Sequence, residues 1–188
     1  MIDATQNSYL FLPENLPAPK DDGAANHLPG FKLPDLELTA TNGSKVNLSM
    51  TRGINVVFCY PMTGVPGVPL PEGWDDIPGA RGCTPQACSY RDKYSLIQPF
   101  VNNVFGLSTQ DTKYQKELHD RLDLPYEILS DSNLEFKRAL NLPTFEVDGK
   151  ELLKRLTLIL KDGLIEKVHY PVFPSNKDVD WVIGKLAR

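Results

Sequence analysis

The chain has no apolar run approaching the roughly 20 residues that a membrane-spanning helix needs. Met1 to Asn26 shows no basic start followed by an apolar block, so an ordinary secretory leader is not expected. Basic charge is not in excess either: 20 Lys and Arg stand against 24 Asp and Glu, a formal net charge of −4. That balance argues against a nucleic-acid partner. There is no internal repeat. Cysteine is scarce and odd in number, with Cys59, Cys83 and Cys88 only, which argues against a secreted disulfide framework and for a cytoplasmic thiol protein. No Cys-x-x-Cys pair occurs. Cys83 and Cys88 with His27, His119 or His169 fit no common zinc spacing, so neither a metal nor an organic cofactor is expected. A length of 188 residues suits one domain with a substantial core.

What is present is concentrated in Gly79-Ala80-Arg81-Gly82-Cys83-Thr84-Pro85-Gln86-Ala87-Cys88-Ser89-Tyr90-Arg91-Asp92. Thr84 is a good N-cap and Pro85 fits a first helical position. Ala87, Tyr90, Tyr94 and Ile97 recur at helical spacing, and Pro99 closes the run. Cys83 is therefore expected at a helix N-terminus. Free backbone N–H groups and the helix dipole there favour a thiolate, the nucleophilic form of cysteine, and Arg81 adds positive charge. Cys59, inside the apolar run Ile54 to Tyr60, reads as a small buried hydrophobe.

Residues 1–27 are polar and proline-bearing and read as an irregular arm, either disordered or pinned by Tyr9-Leu10-Phe11-Leu12. The domain is expected over 28–188. Leu36 and Leu38, then Asn42-Gly43, then Val46 and Leu48 signal a hairpin. Ile54 to Tyr60 reads as a buried central strand ended by Pro61. Met62 to Gly82 holds four prolines and five glycines and cannot sustain a helix or an inner strand. It is expected to pack, through Trp74 and Ile77, over the mouth of a site at Cys83. Beyond the Cys83 helix come a strand at Val104 to Ser108, a helix capped by Asp111, a short strand at Tyr126 to Leu129 and a helix opened by Asp131 or Ser132. A hairpin around Asp162-Gly163 and a last helix from Ser175 or Asn176 complete the chain. Alternating strands and helices with hairpins at both ends predict an α/β fold with a mixed sheet flanked by helices.

The segment Gly82-Cys83-Thr84-Pro85-Gln86-Ala87-Cys88-Ser89-Tyr90-Arg91-Asp92 resembles the active-site segment of peroxiredoxins, specifically the bacterioferritin comigratory protein or peroxiredoxin Q group. The similarity runs from about Leu28 to the C-terminus. It implies a thioredoxin-like fold with an N-terminal β-hairpin extension. It further implies a thiol peroxidase that reduces hydrogen peroxide and organic hydroperoxides, with Cys83 peroxidatic and Cys88 resolving through a Cys83–Cys88 disulfide. The late arginine of the family matches Arg155 and would stand beside the thiolate. A thioredoxin or glutaredoxin-type reductant, and a monomer or weak dimer, are implied with it. Five helical positions separate the cysteines by about 8–9 Å at Cα. A disulfide needs roughly 7 Å or less, so closure requires the helix start to unwind.

The family signature Pro-x-x-x-Thr/Ser-x-x-Cys is broken here, because Ala80 and Asp76 occupy its threonine and proline positions. Pro61 follows the central strand where the family's proline belongs, and Thr63 follows it. The long loop then reads as an insertion, with Thr63 supplying the hydroxyl near the thiolate; Thr84 or water is the alternative. Two other readings are a thiol–disulfide oxidoreductase, which the absence of Cys-x-x-Cys counts against, and a peroxide-sensing interaction protein.

Overall fold

The structure, a computed structural model, describes residues 10–187. Its elements are β1 (Leu38–Ala40), β2 (Lys45–Val46), β3 (Ile54–Cys59), α1 (Cys83–Asp92), α2 (Tyr94–Ile97), β4 (Asn103–Ser108), α3 (Thr112–Leu122), β5 (Ile128–Ser130), α4 (Glu135–Leu140), β6 (Thr144–Val147), β7 (Lys150–Leu153), β8 (Leu156–Lys161), β9 (Leu164–His169) and α5 (Asp178–Leu186). Seven strands form one sheet in the order β2-β1-β5-β4-β3-β8-β9. β3 pairs parallel with β4, and β4 with β5, while β8, β9, β1 and β2 join antiparallel. The sheet is mixed, and the N-terminal hairpin is attached through β5.

β3 shows why the sheet needs cover on both faces. Alternate residues point to opposite sides. Val56, Phe58 and Tyr60 pack with α1, α3 and α5 through Ala87, Tyr90, Leu118, Leu122, Val179 and Val182. Val57 and Cys59 face the other layer, formed by Phe136 and Leu140 of α4 with Leu28, Leu38 and Leu48. A continuous apolar strand is thus buried twice over, as its sequence requires. Burial also pushes the Cys59 thiol well above its ordinary pKa, so this cysteine is an inert core residue.

Two sequence expectations need correction, and one element had no expectation at all. Helix α1 does not begin after Thr84. Gly82 precedes it in a left-handed conformation, φ 110°, and Cys83 is its first residue. Thr84 and Pro85 lie inside the first turn, where a missing N–H costs no helical hydrogen bond. Helix α4 has Leu134, not Asp131 or Ser132, as its immediate N-terminal neighbour. The buried Asp131 carboxylate still accepts from the N–H groups of Phe136 at 3.0 Å and Lys137 at 2.8 Å, so it caps the helix from a distance. The hairpin β6–β7, a separate two-stranded sheet turning at Asp148-Gly149, was not expected. An Asp-Gly pair between Phe145, Val147 and Leu152 is a signal that could have revealed it.

Residues 10–27 contain no helix or strand. Of the expected anchor, Tyr9 lies outside the described residues, and Leu10 and Phe11 are exposed. Leu12 reaches Gly82, Pro19 lies against Gly79, and Ala25 enters the core. Asp22 accepts from Lys154 at 2.6 Å and from the Tyr170 hydroxyl at 2.8 Å, tying this segment to the loop after β7 and to the end of β9. Among the described residues no helix is long and apolar enough to cross a membrane.

Candidate active site

Cys83 occupies the first position of α1, at the C-terminal edge of the parallel pair β3–β4. Gly82 is required there. A Cβ at this position would lie 2.3 Å from Ser175 Oγ and 2.6 Å from Leu12 Cδ2, and its φ disfavours any other residue. Ser175 donates to the Gly82 carbonyl at 2.8 Å and fixes the helix entry from the other end of the chain. Pro85 has no N–H, so the N–H groups of Cys83 and Thr84 are the first-turn donors without an acceptor inside the helix. Cys83 is 3% exposed and is a free thiol, and its Sγ lies 3.6 Å from the Ala80 carbonyl.

Arg155 lies between β7 and β8, buried to 4% exposure. Its Nη2 donates to Cys83 Sγ at 3.2 Å and to the Ala80 carbonyl at 3.0 Å. The same nitrogen is 3.2 Å from the Gly79 carbonyl, and Nη1 donates to Gln86 Oε1. The guanidinium therefore holds both the sulfur and the chain just ahead of it, with a planar fork that a lysine cannot reproduce.

Behind Arg155 a buried polar chain continues. Gln86 Nε2 donates to Asp178 Oδ2 at 2.8 Å. Asp178, the first residue of α5 and without solvent exposure, also accepts from the Tyr90 hydroxyl at 2.8 Å and Thr157 Oγ1 at 2.6 Å. His169 Nδ1 lies 2.8 Å from its other oxygen, with the ring stacked on Trp181. Sequence reasoning missed both Gln86 and Asp178. Gln86 stands one turn beyond Cys83 on the same helix face, a spacing that could have singled it out. Asp178 had no local signal, since its partners come from α1, β8 and β9.

The other expected site residues are placed as follows. Thr63 and Thr84 both line the small space over Cys83, with Met62, Trp74 and Pro85. Thr63 is buried, and its hydroxyl and N–H donate to Gln110 Oε1 at 3.2 and 3.1 Å. Its carbonyl accepts from the Tyr114 hydroxyl at 3.0 Å. Pro61 lies two residues beyond the end of β3, buried, at the bend that leads to Thr63. Cys88 is a half-buried free thiol on the same unbroken helix as Cys83. Burial pushes its pKa up. Among the described residues no group of three His, Cys, Asp or Glu side chains is arranged to hold a metal ion.

Residues 28–183 match the Redoxin family. Peroxiredoxin bcp1 of Schizosaccharomyces pombe is 32% identical over 114 residues, 59% of this chain and 50% of that protein. The chloroplastic peroxiredoxin Q of Gentiana triflora is 29% identical over 175 residues, 89% of this chain and 73% of that protein. The chain thus spans only half the length of the first of these relatives. The crystal structure of peroxidoxin BcpB from Mycobacterium tuberculosis superposes with a TM-score of 0.69 at 23% identity, covering 86% of this chain and 97% of that one. That likeness gives the fold as thioredoxin-like, with the mixed sheet expected from the sequence.

Proposed function

Taking as premise that the chain belongs to the Redoxin family and groups there with the bacterioferritin comigratory and peroxiredoxin Q proteins, we propose that it is a thiol-dependent peroxidase with Cys83 as its nucleophile. One observation carries the reading: the 3.2 Å contact between Arg155 Nη2 and Cys83 Sγ in a nearly dry site at a helix start. The guanidinium and the N–H groups of Cys83 and Thr84 stabilise negative charge on sulfur and on the peroxide oxygens as the bond breaks.

The Cys83 thiolate attacks the terminal oxygen of a hydroperoxide. An S–O bond forms, the O–O bond breaks, and the leaving oxygen takes a proton to depart as water or an alcohol. The sulfur is oxidised to a sulfenic acid. The Cys88 thiol gives up its proton, and its thiolate displaces hydroxide from that sulfur, which takes a proton and leaves as water. The Cys83–Cys88 disulfide that results is returned to two thiols by a thioredoxin or glutaredoxin-type dithiol, itself oxidised to a disulfide. Thr63, held by Gln110, and Thr84 are the hydroxyls available to position the peroxide, and Pro61 sets the turn that brings Thr63 to the site. A cytoplasmic, reducing setting and a monomer or weak dimer complete the proposal. The thiol–disulfide oxidoreductase and peroxide-sensor alternatives are not favoured.

The test is intact-mass analysis of the reduced protein after one equivalent of hydrogen peroxide, beside Cys83→Ser and Cys88→Ser. Wild type should lose the mass of two protons, Cys88→Ser should gain one oxygen, and Cys83→Ser should be unchanged. Equal reactivity of Cys83→Ser and wild type would assign the chemistry to another sulfur.

A further inference from the structure

The room above Cys83 is about 10 Å³, bounded by Met62, Thr63, Leu70, Trp74 and Pro85. That is the space of a single water molecule. We infer that the Pro/Gly-rich loop makes this site selective for hydrogen peroxide over bulky organic hydroperoxides, with Trp74 as the specificity-determining residue. The inference rests on the peroxidase reading and narrows its substrate class.

The loop is a built lid rather than a loose surface segment. Trp74 opens a 3-10 turn, Trp74–Asp76, and is 3% exposed. It packs with Ala80 and Leu152, and its ring lies 6.2 Å from that of Phe145. The lid is therefore seated on the hairpin β6–β7, which gives that hairpin a role. Backbone hydrogen bonds from Trp74 to Pro71, Asp76 to Gly73, Ile77 to Trp74 and Ala80 to Ile77, 3.0–3.3 Å long, fold it back on itself. Arg81 Nη1 donates to Asp75 Oδ1 at 3.0 Å, tying the turn to the residue two before Cys83.

Size then decides access. One peroxide oxygen fills the space above the sulfur, and the second needs only a small side-chain adjustment. A cumyl group, with its phenyl ring, does not fit this space. The neighbouring open hollow of about 400 Å³ shares Leu70, Trp74 and Arg81 with it but does not have Cys83 in its wall, so Trp74 stands between a ring seated there and the sulfur. A cavity of about 270 Å³ does lie beyond Arg155, between Ile77, Phe145 and Tyr170, but Cys83 is not part of its wall. A bulky tail lodged there does not put its peroxide on the sulfur.

Single-turnover sulfenic acid formation is to be followed with hydrogen peroxide and with cumene hydroperoxide, in wild type, Trp74→Ala and Asp75→Asn. Wild type should prefer hydrogen peroxide by on the order of 100-fold, and Trp74→Ala should cut that ratio about tenfold by speeding the bulky substrate. Asp75→Asn, half-exposed and outside the packed cluster, loosens the lid without emptying it and should lower the ratio less. It keeps the test decisive if Trp74→Ala does not fold. Equal wild-type rates with both peroxides overturn the inference and leave the peroxidase standing. A wild-type preference that neither variant narrows also overturns it. Failure to react with either peroxide removes the peroxidase reading itself, and the inference with it.

Discussion

The side-chain amide of Gln86 donates to the carboxylate of Asp178 at 2.8 Å, and neither residue is exposed to solvent. The same amide accepts from Arg155 through its oxygen, so it lies between a buried cation and a buried anion. Each charge is satisfied by directed hydrogen bonds, the condition under which buried ions are tolerated. The orientation of the Gln86 amide follows from this network, since the opposite flip would set its N–H₂ against the guanidinium. Arg155 is thereby held against Cys83 by residues that never touch the sulfur.

Asp178 should accordingly act on the reaction through Arg155. Asp178→Asn keeps the shape but places an N–H₂ where donors converge. It should lower stability by about 2 kcal/mol and slow sulfenic acid formation about tenfold. Asp178→Ala leaves the donors unpaired and should cost about 3–5 kcal/mol in urea unfolding. Asp178→Glu should restore neither in full, because the longer side chain cannot occupy the same closed site. A loss of stability with no loss of rate in Asp178→Asn would make the network structural only.

Arg155→Lys should not rescue Arg155→Met. The guanidinium spans Cys83 Sγ, Gln86 Oε1 and the Ala80 carbonyl at once, which a point charge on a flexible stem cannot do. Both variants should slow the first oxidation step by about 10²–10³-fold, the cost of removing one pre-placed donor at a developing charge. Stopped-flow mixing with hydrogen peroxide reads the rate directly. A lysine variant at wild-type rate would mean that charge alone suffices.

The sequence carried much of the fold, because its signals are local. Ile54 to Tyr60 is a buried strand by composition, Asn42-Gly43 and Asp162-Gly163 mark hairpins, and Asp111 caps α3 by accepting from the Tyr114 N–H at 2.7 Å. Cys83 was legible from its flanking glycine, threonine and proline. The start of α1 was misplaced because a side-chain cap at Thr84 was expected. The turn is instead made by Gly82, whose backbone is fixed by Ser175, 93 residues away. The network through Asp178 was not legible for the same reason: it is assembled from elements distant in sequence. The family likeness supplied Arg155 as a candidate, and the fold brings its Nη2 to 3.2 Å from the sulfur.

Stability should fall in alkali, beginning with the thiols. Burial raises the pKa of Cys59, Tyr60, Tyr90 and Tyr126. For a group whose folded pKa exceeds its unfolded one, the contribution to stability is complete below the unfolded value and is lost as pH rises toward the folded value. The unfolded values are about 8.5 for cysteine and about 10 for tyrosine, so unfolding free energy should be flat near neutrality and decline above about pH 9. Urea midpoints at a series of pH values check this. Cys59→Val removes the fully buried thiol and should make the first part of the decline shallower, leaving the share that comes from the half-buried Cys88, whose pKa burial also raises. An equally steep decline in the variant would show that Cys59 does not govern its first part.

Closure of the Cys83–Cys88 disulfide should be limited by the anchors that keep α1 helical. Both thiols lie on one helix, about 8–9 Å apart at Cα, so the helix must open for the sulfurs to meet. The Tyr90 hydroxyl bonds Asp178 at 2.8 Å while its ring stacks on Phe58 with centroids 4.3 Å apart. The Tyr126 hydroxyl donates to the Ala87 carbonyl at 2.7 Å. Tyr90→Phe keeps the stack and removes one hydrogen bond, which should lower stability by about 1 kcal/mol. If opening precedes closure, that loss appears in the rate, and the disulfide should form several-fold faster after a peroxide pulse. Tyr126→Phe frees the Ala87 carbonyl and should act in the same direction. Raising the pH should speed closure in wild type as well, since burial holds Cys88 above its ordinary pKa and attack needs its thiolate. Mass spectra of quenched samples report the loss of water from the sulfenic acid form. Wild-type closure rates in both phenylalanine variants, despite the expected loss of stability, would place the rate limit in the first turn around Gly82 and Cys83 rather than in the body of the helix.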